Sequence, residues 1–292
     1  MRVLVTGATG FLGRHLVPAL LEAGHEVRAF HRPTSDLSPF DHLPVEFVEG
    51  DVLLTRSLDA AVNGVDAVAH LVGIVRERGS TFEEVNIRGV LHVREASRRA
   101  GVRRVVHLGA LGTSERHPTR YSRTKAAGEK LWRDSDREYA ILRPYVVVGP
   151  GGEFTERILA LVRRYRRVPV IGNGRNHFQP IWVGDVSRGI LAALEAPPRR
   201  TWDLVGPDRP TWDEFVLRLA AAMGLAREVR HVPGGVARLI ASVGGVFRRD
   251  PTITRDELFF LQREVTGRRE QFEALTGTRA TPMEEWVGQL LR

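Results

Sequence analysis

The stretch Thr6-Gly7-Ala8-Thr9-Gly10-Phe11-Leu12-Gly13 lies directly behind a short apolar run at residues 2–6 and opens a segment, residues 12–23, with helical spacing of apolar side chains. A strand, a glycine-rich turn and a helix in this order form a phosphate-binding corner. The helix N-terminus presents free N–H groups and a partial positive charge to a pyrophosphate, and the glycines let the backbone approach it closely. The stretch therefore predicts a dinucleotide site at the first turn of the chain.

Strand-like runs alternate with helix-compatible segments over the first 150 residues. The strand-like runs are residues 2–6, 27–30, 45–48, 67–72, 105–108 and 140–142, and the helix-compatible segments include residues 12–23, 58–62, 82–100 and 121–132. This alternation is typical of βαβ units and of a parallel sheet that is covered on both faces. We therefore predict an α/β protein with a Rossmann-type, doubly wound parallel sheet.

Helical candidates dominate the chain after Gly149-Pro150-Gly151-Gly152. They are residues 154–166, 185–195, 212–223, 236–246 and 254–265, and the loops between them carry Val168-Pro169-Val170, Ala196-Pro197-Pro198 and Gly206-Pro207. The predicted organisation is a dinucleotide-binding Rossmann domain of residues 1–150 and about 176–200. A smaller, mainly helical C-terminal lobe comprises residues 151–175 and 201–292.

Composition restricts the class of protein. The 292 residues are 42% hydrophobic and 27% charged, which is ordinary for a globular domain. The absence of cysteine excludes disulfides, thiolate metal sites and a cysteine nucleophile. No run approaches the roughly 20 apolar residues that span a bilayer, and no secretory signal is visible at the N-terminus. We therefore expect a soluble, cytoplasmic protein.

The charge balance bears on possible partners. Lys and Arg number 43 against 35 Asp and Glu, a formal net charge of +8, which suits an anionic ligand, nucleic acid or a membrane surface. The arginines are spread in pairs along the chain, which favours a solvated basic surface. The densest cluster is Arg163-Arg164-Tyr165-Arg166-Arg167, but no RNA-binding aromatic pattern accompanies it, so nucleic acid is disfavoured.

Two further features have alternative interpretations. Residues 234–249 are apolar with a basic end, and a helix packed in the lobe is favoured over a membrane-surface helix because two Gly-Gly pairs weaken the helix. Peripheral membrane association therefore has little support. The ten histidines form no H-x₃-H or HExxH pair, so no metal site is predicted. His70 and His107 are predicted to be packed and hydrogen-bonded.

Tyr121 and Lys125 are four residues apart in a helical segment, so their side chains share one face. A nearby ammonium lowers the pKa of a phenol, which lets tyrosine work as an acid or a base near neutral pH. Lys125 is also one of only two lysines in the chain. The pair predicts Tyr121 as a catalytic acid or base with Lys125 as its partner.

The GxxGxxG spacing at residues 6–13 resembles the extended branch of the short-chain dehydrogenase/reductase superfamily, also called the epimerase/dehydratase family. Further segments that resemble this family are Gly50-Asp51-Val52, His70-Leu71-Val72-Gly73, Leu142-Arg143-Pro144, Val147-Val148-Gly149-Pro150-Gly151 and residues 179–186. Together they cover most of residues 1–195. The resemblance implies cofactor contacts from Gly7, Thr9, Gly10, Phe11, Leu12, Gly13, His31, Arg32, Asp51, Val52, Leu71, Val72, Gly73, Tyr121, Lys125, Pro144 and Val147.

The end of the second strand indicates which nicotinamide cofactor is preferred. NAD-preferring Rossmann folds place an acidic residue about 20 residues past the glycines, where it binds the ribose 2′-OH. Here that place holds His31 and Arg32, and Arg14 follows the last glycine. Cationic side chains suit a 2′-phosphate, which arginine binds in bidentate fashion. NADP(H) is therefore the predicted cofactor, and NAD(H) is the alternative.

A catalytic hydroxyl is missing from its expected place. In the family that this chain resembles, a Ser or Thr just after the fifth strand polarises the reacting oxygen. Gly109 and Ala110 stand there, and Thr113 and Ser114 follow three to four residues later. Loss of one such donor lowers the rate by about 10²–10³-fold. Little turnover is therefore expected.

Within the superfamily, residues 108–112, the short gap to Tyr121 and residues 254–258 resemble a subgroup that contains the nucleotide-binding accessory subunit of respiratory complex I. The resemblance implies an NADP(H)-binding protein with a structural or assembly role near respiratory or quinone machinery. It leaves the small-molecule or protein partner unidentified. The alternatives are an NADP-dependent oxidoreductase or nucleotide-sugar epimerase that uses Tyr121 and Lys125, and a basic RNA-associated Rossmann protein that only the net charge favours.

Overall fold

The structure is a computed structural model that describes residues 1–236, 254–261 and 263–291. These residues form two compact units. The first comprises Met1–Pro144, Val183–Leu204 and Glu270–Arg279, and the second comprises Tyr145–Trp182, Val205–Arg269 and Ala280–Arg292. The division differs from the sequence-based bounds because the chain enters the second unit at Tyr145 and returns to the first at Val183 and again at Glu270.

The secondary-structure elements have the following bounds. The strands are β1 (Arg2–Thr6), β2 (Glu26–His31), β3 (Val45–Glu49), β4 (Ala67–His70), β5 (Arg104–Leu108), β6 (Glu138–Pro144), β7 (Val146–Val148), β8 (Arg167–Ile171), β9 (Pro180–Trp182), β10 (Arg200–Leu204) and β11 (Glu228–Val232). The helices are α1 (Phe11–Glu22), α2 (Thr55–Val62), α3 (Val90–Arg99), α4 (Arg120–Arg133), α5 (Glu153–Arg164), α6 (Val183–Glu195), α7 (Trp212–Ala222), α8 (Arg255–Leu261), α9 (Arg269–Thr276) and α10 (Met283–Leu290).

The first unit is built on a seven-stranded parallel sheet of order β10-β6-β5-β4-β1-β2-β3. Helices α2, α3 and α4 pack on one face, and α1 and α6 pack against each other on the opposite face. The predicted α/β, doubly wound fold is confirmed. Because the strand order reverses between β1 and β4, their carboxyl ends flank the crevice in which open α/β sheets bind ligands.

Two elements of the first unit differ from the predicted bounds at this crevice. Strand β4 ends at His70 rather than at residue 72, because Leu71-Val72-Gly73 leave the sheet as a loop beside the glycine turn. The predicted helix over residues 82–100 begins as a π-helical turn over Glu84–Gly89 and continues as α3. Both departures bring polar groups toward the carboxyl end of the sheet.

The second unit contains two parallel strand pairs, β7 with β9 and β8 with β11, together with helices α5, α7, α8 and α10. Its core is aromatic: the rings of Phe178 and Trp212 stack 4.0 Å apart, and Phe215 and Trp286 are fully buried beside them. The prediction of a loop at residues 168–170 was wrong. Those residues form β8, which tolerates Pro169 because, within the described ranges, it pairs on one side only.

Helix α8 begins at a capping box. The backbone N–H of Thr254 donates to Glu257 Oε2 at 2.8 Å, and the backbone N–H of Glu257 donates to Thr254 Oγ1 at 3.1 Å. The predicted helix over residues 236–246 lies outside the described residues apart from Val236. Among the helices that the structure describes, none has the length and apolar content needed to cross a bilayer.

Candidate functional site

The glycine turn between β1 and α1 is closely packed. Gly7 has φ +76°, in the left-handed region that favours glycine, and its backbone lies against Val72. A Cβ added to Gly13 would lie 2.2 Å from the carbonyl oxygen of Ala8 and 2.4 Å from that of Gly7. Both contacts are with backbone, so only glycine fits at residue 13. Leu71 N–H donates to the carbonyl oxygen of Thr6, which joins the turn to the loop after β4.

The first turn of α1 suits a pyrophosphate. Helix α1 starts after Gly10, no side chain within the described residues caps it, and Phe11, Leu12, Gly13 and Arg14 bring no acidic group to the first turn. The N–H groups of Phe11, Leu12 and Gly13 precede the first helical hydrogen bond, in which the N–H of Arg14 donates to the carbonyl oxygen of Gly10 at 3.0 Å. These three groups carry the positive end of the helix dipole. The residues present fit a dinucleotide phosphate here.

A polar corner lies between the glycine turn and the end of β2. Thr9 Oγ1 donates to Ser35 Oγ at 3.2 Å, and the backbone N–H of Arg32 donates to the same Ser35 oxygen at 3.2 Å. Arg14 Nε donates to the carbonyl oxygen of Thr9 at 2.9 Å. His31 is half-buried at the end of β2, next to the exposed Arg32. The corner thus gathers hydroxyl and cationic groups at one end of the site, together with the Asp36 carboxylate, which pairs with Arg14 at 3.5 Å.

Asp51 and Val52 lie on the loop after β3, beside β2. Asp51 Oδ1 accepts the backbone N–H of Leu53 at 2.9 Å, and Val52 is buried with its carbonyl oxygen 2.9 Å from His92 Nδ1. The backbone N–H of Gly50 donates to the carbonyl oxygen of His31. The loop is therefore held against the end of β2, next to His31.

The loop after β4 is held by Asn86, a residue that the sequence analysis missed. The Asn86 side chain is buried; its Oδ1 accepts from Ile74 N–H at 3.1 Å and its Nδ2 donates to the Ile74 carbonyl at 3.3 Å. A Cβ added to the exposed Gly73 would lie 3.4 Å from Asn86 Oδ1 and 3.3 Å from Lys125 Nζ. In the sequence, the signal for this role is one amide side chain, Asn86, on the buried side of the helical segment predicted over residues 82–100.

Tyr121 and Lys125 lie on the same face of α4, as predicted from their spacing. Lys125 is buried, and its Nζ donates to the carbonyl oxygen of Leu108 at 2.6 Å, where β5 ends. The Tyr121 ring packs edge-on against Phe82 at 5.9 Å. Burial lowers the pKa of Lys125 to about 8, and the negative charge of Glu129 opposes that shift. Burial, and secondarily Glu129, raises the pKa of Tyr121 to about 12.

Gly109 is glycine because Glu129 fills the space beside it. A Cβ at residue 109 would lie 2.3 Å from Glu129 Oε1 and 3.2 Å from Ile141 Cγ2. The Glu129 carboxylate is fully buried, accepts two hydrogen bonds from Arg143 Nε at 3.0 Å each, and pairs with Arg133 at 2.6 Å. This carboxylate was not recognised in the sequence, because residues 109 and 129 are twenty positions apart.

The hydroxyls near the end of β5 are engaged or exposed. Thr113 Oγ1 donates to the carbonyl oxygen of Ala110 at 2.9 Å, and Ser114 is exposed. The N–H groups of Gly109 and Leu111 donate to the carbonyl oxygens of Leu142 and Pro144, so the alternating hydrogen bonds to β6 continue past Leu108, the last residue of β5. The Ala110 side chain therefore projects to the face opposite that of residue 109.

Two other predicted cofactor contacts lie at the end of β6 and beyond it. Pro144 is buried at the end of β6, where its carbonyl oxygen accepts from Leu111 N–H at 2.9 Å. Val147 lies in β7 and belongs to the second unit.

Two buried histidines, His70 on β4 and His107 on β5, lie next to each other in the sheet. His70 Nδ1 and Thr6 Oγ1 are joined by a hydrogen bond of 2.7 Å. The His70 ring stacks on the His107 ring, with 5.4 Å between the ring centroids. Burial, together with the charge of Lys125, lowers the pKa of His70 to about 3 and also lowers that of His107. Both rings are therefore neutral. Within the described ranges, no group of three acidic or histidine side chains is arranged to hold a metal ion.

The arginine cluster at residues 163–167 lies in the second unit, at the end of α5 and the start of β8. All five side chains are exposed, Arg164 lies over the ring of Tyr165 at 5.7 Å, and Arg167 pairs with Glu228 at 3.0 Å. This cluster is therefore a solvated surface and lies apart in sequence from the predicted cofactor residues.

A model of the NAD dependent epimerase/dehydratase family matches residues 3–204. The chain belongs to this family. The prediction made from the glycine turn and its companion segments is thereby confirmed, and the family binds nicotinamide dinucleotides.

Several known proteins are similar to this chain. The ceramide reductase of Caulobacter vibrioides is 33% identical over 235 residues, which cover 79% of this chain and 73% of the reductase. Subunit 9 of the NADH dehydrogenase [ubiquinone] 1 alpha subcomplex of Arabidopsis thaliana is also 33% identical, over 72% of this chain. The match spans 55% of that subunit, little more than half its length. The predicted resemblance to the complex I subunit is confirmed.

A solved structure agrees with the fold. The UDP-glucose 4-epimerase of Thermus thermophilus, crystallised with NAD, superposes with a TM-score of 0.75, with 100% of this chain and 98% of the epimerase covered. At 22% sequence identity this likeness shows the fold and not the reaction.

Proposed function

We propose that the chain binds NADP(H) and holds it with little or no turnover, as a structural or assembly partner of respiratory or quinone machinery. One observation carries the proposal. The glycine turn at residues 6–13 has the geometry that fits a dinucleotide, whereas Gly109 and Ala110, which follow β5, have no hydroxyl. The glycine turn and Lys125 are in place, whereas the side-chain space of Gly109 is filled by Glu129.

The preference for NADP(H) is supported by the corner after β2. Arg32 is exposed, Ser35 offers a hydroxyl between Thr9 and Arg32, and no acidic side chain stands at the end of β2, where His31 is the last residue. A 2′-phosphate has three acceptor oxygens and negative charge, and it is bound well by such donors. A ribose 2′-hydroxyl requires an acceptor that this corner lacks at residue 31.

Low turnover is supported by the groups around Tyr121. A bound nicotinamide supplies hydride transfer to or from a carbonyl carbon, and the protein must then stabilise charge on the carbonyl oxygen. The Thr113 hydroxyl already donates to a backbone carbonyl, and the pKa of Tyr121, raised to about 12 by burial, keeps the phenol protonated. In the cofactor-free protein Tyr121 therefore carries a neutral hydroxyl.

The proposed association with respiratory machinery is supported by similarity to the complex I subunit of Arabidopsis thaliana. That similarity extends over 72% of this chain.

A second candidate is an NADP-dependent oxidoreductase, or a nucleotide-sugar epimerase, that uses Tyr121 and Lys125. The observation that favours it is the similarity to the Caulobacter vibrioides ceramide reductase, which extends over 73% of that enzyme. The two candidates differ in one measurable property, which is the rate of NADPH oxidation in the presence of a carbonyl compound.

We expect NADPH to bind at least about tenfold more tightly than NADH, and Arg32→Asp to invert that ratio. A charge-assisted hydrogen bond contributes about 1.5–3 kcal/mol, equivalent to roughly 10–100-fold in affinity. Titration of both nucleotides by fluorescence measures the ratio. Arg103→Asp is the matched control, because Arg103 is exposed where β5 begins, at the end of the sheet away from the crevice. Equal affinities in the unmodified protein would contradict the preference.

We expect Lys125→Ala to weaken NADPH binding by about 10–100-fold, because it removes a buried cationic donor. Tyr121→Phe should leave binding nearly unchanged, since the phenol acts in chemistry rather than in affinity. Lys130→Ala is the control: it removes the other lysine of α4, which is exposed and paired with Asp134. Normal binding by Lys125→Ala would show that α4 does not present this lysine to the cofactor.

A further inference from the structure

Helix α4 carries four polar side chains at four-residue steps, Tyr121, Lys125, Glu129 and Arg133, which lie along one face of the helix. We propose that Glu129 is a positioning residue that holds Lys125 as a charged donor at the cofactor site. This inference deepens the proposed function and rests on it, because it assumes that Lys125 contacts the bound nucleotide.

The Glu129 carboxylate is held in one place. It has no exposed surface, Arg143 on β6 donates to both of its oxygens at 3.0 Å, and Arg133 donates to Oε2 at 2.6 Å. A carboxylate with this many charge-assisted hydrogen bonds does not change rotamer freely. Its negative charge is therefore a fixed feature of the interior.

That charge lies beside the end of β5, where the ammonium of Lys125 is also bound. Lys125 Nζ donates to the carbonyl oxygen of Leu108, and the next residue, Gly109, is the one whose added Cβ would lie 2.3 Å from Glu129 Oε1. The two charged groups therefore contact consecutive residues of the same strand end. The absence of a side chain at Gly109 is what allows the carboxylate to approach.

Among the residues that the structure describes, the other groups around Lys125 do not supply negative charge. On β4 and β5 it faces His70 and His107, whose pKa values burial and the lysine itself hold low, so both are neutral. The loop after β4 contributes the neutral amide of Asn86 through Gly73.

On α4 and β6 the groups near Lys125 are the neutral Tyr121, the cations Arg133 and Arg143, and Glu129. Burial lowers the pKa of Lys125 to about 8, and Glu129 is the group that raises it. Lysine is charged below its pKa. Loss of the carboxylate therefore moves the range in which Lys125 is charged to lower pH.

The chain is suited to a direct test because it contains only two lysines, Lys125 and Lys130. In cofactor-free protein that carries ¹³C-labelled lysine, the two side chains give two NMR signals, which Lys130→Arg assigns. Titration should give a midpoint near 8 for Lys125 and a higher midpoint for Lys130, whose pKa is raised by Asp134. An ordinary lysine midpoint for Lys125 would overturn the inference.

In Glu129→Gln we expect the midpoint of Lys125 to fall by about one pH unit or more, while that of Lys130 stays in place. A fall of one unit lowers the charged fraction of Lys125, and with it the NADPH affinity, about twofold at pH 7 and about fivefold at pH 8. The affinity should recover toward that of the unmodified protein as the pH is lowered further and Lys125 is protonated. A midpoint that does not fall, or a loss of affinity that is the same at every pH, would overturn the inference.

The direction of the shift separates this role from simple loosening of the fold. A substitution that only admits water relieves the burial of Lys125 and moves its midpoint up toward that of an ordinary lysine. Arg133→Gln is the second variant, because it keeps the Arg143 contact and removes a positive charge, so the midpoint should rise slightly or stay. A fall in this variant would count against the inference. Because the NMR titration uses no nucleotide, it can succeed even if NADPH is not the cofactor.

Discussion

NADPH bound to the unmodified protein should be consumed at near-background rates with simple aldehydes, quinones or nucleotide sugars, and Ala110→Ser should raise that rate. A preorganised hydroxyl that stabilises a developing oxyanion contributes about 10²–10³-fold to rate. We expect position 110 to accept a hydroxyl, because its side chain projects to the face away from that of residue 109 and serine is little larger than alanine. Steady-state loss of NADPH absorbance measures the effect.

Gly109→Ser is the matched control for this experiment. Its side chain would require the Glu129 carboxylate to leave Arg143, so we expect no gain in rate and a free energy of unfolding about 1–3 kcal/mol lower in urea denaturation. Rapid NADPH consumption by the unmodified protein with any of these carbonyl compounds would instead favour the oxidoreductase candidate. A higher rate in Gly109→Ser than in Ala110→Ser would contradict the assignment of the two positions.

Gly13→Ala should abolish measurable cofactor binding. Its methyl group would lie within 2.5 Å of two backbone carbonyl oxygens, those of Gly7 and Ala8, and neither can move without displacing the turn that presents the amides of α1. We expect at least about a 100-fold loss of NADPH affinity, of the size expected when more than one charge-assisted hydrogen bond is lost. Nucleotide titration and urea unfolding together measure binding and stability.

Gly288→Ala is the control for that substitution. Gly288 lies inside α10, where an added methyl group meets no atom of the described residues within 4 Å. The same change should therefore leave binding intact and raise stability by up to about 1 kcal/mol, the difference in helix propensity between the two residues. Retention of NADPH affinity by Gly13→Ala would show that residues 6–13 do not form the phosphate site.

Local sequence patterns sufficed for the parts of the protein that depend on local geometry. The glycine turn at residues 6–13, the alternation of strands and helices and the spacing of Tyr121 and Lys125 each follow from backbone conformation over a few residues. Such patterns involve residues that are close together in the sequence, and they can be interpreted without knowing which elements pack against them. They are the features that predict the fold and the family.

The parts that escaped prediction depend on residues far apart in the chain. Val168-Pro169-Val170 is a strand only because β11, about 60 residues later, pairs with it. Asn86 holds the loop after β4 through contacts twelve residues away. A strand or a buried amide of this kind acquires its role from its partner, and the partner cannot be identified from a local pattern.

At the candidate site, Gly109 illustrates the difference between what local sequence predicts and what distant contacts decide. The sequence by itself determined that a hydroxyl is missing after β5 and that the lysine and tyrosine are present. Only the tertiary structure decided why residue 109 is glycine. The carboxylate of Glu129, which lies on α4, occupies the space that a side chain at residue 109 would need. Sequence patterns specify which groups a site contains, whereas close packing of distant elements decides which atoms have room to meet.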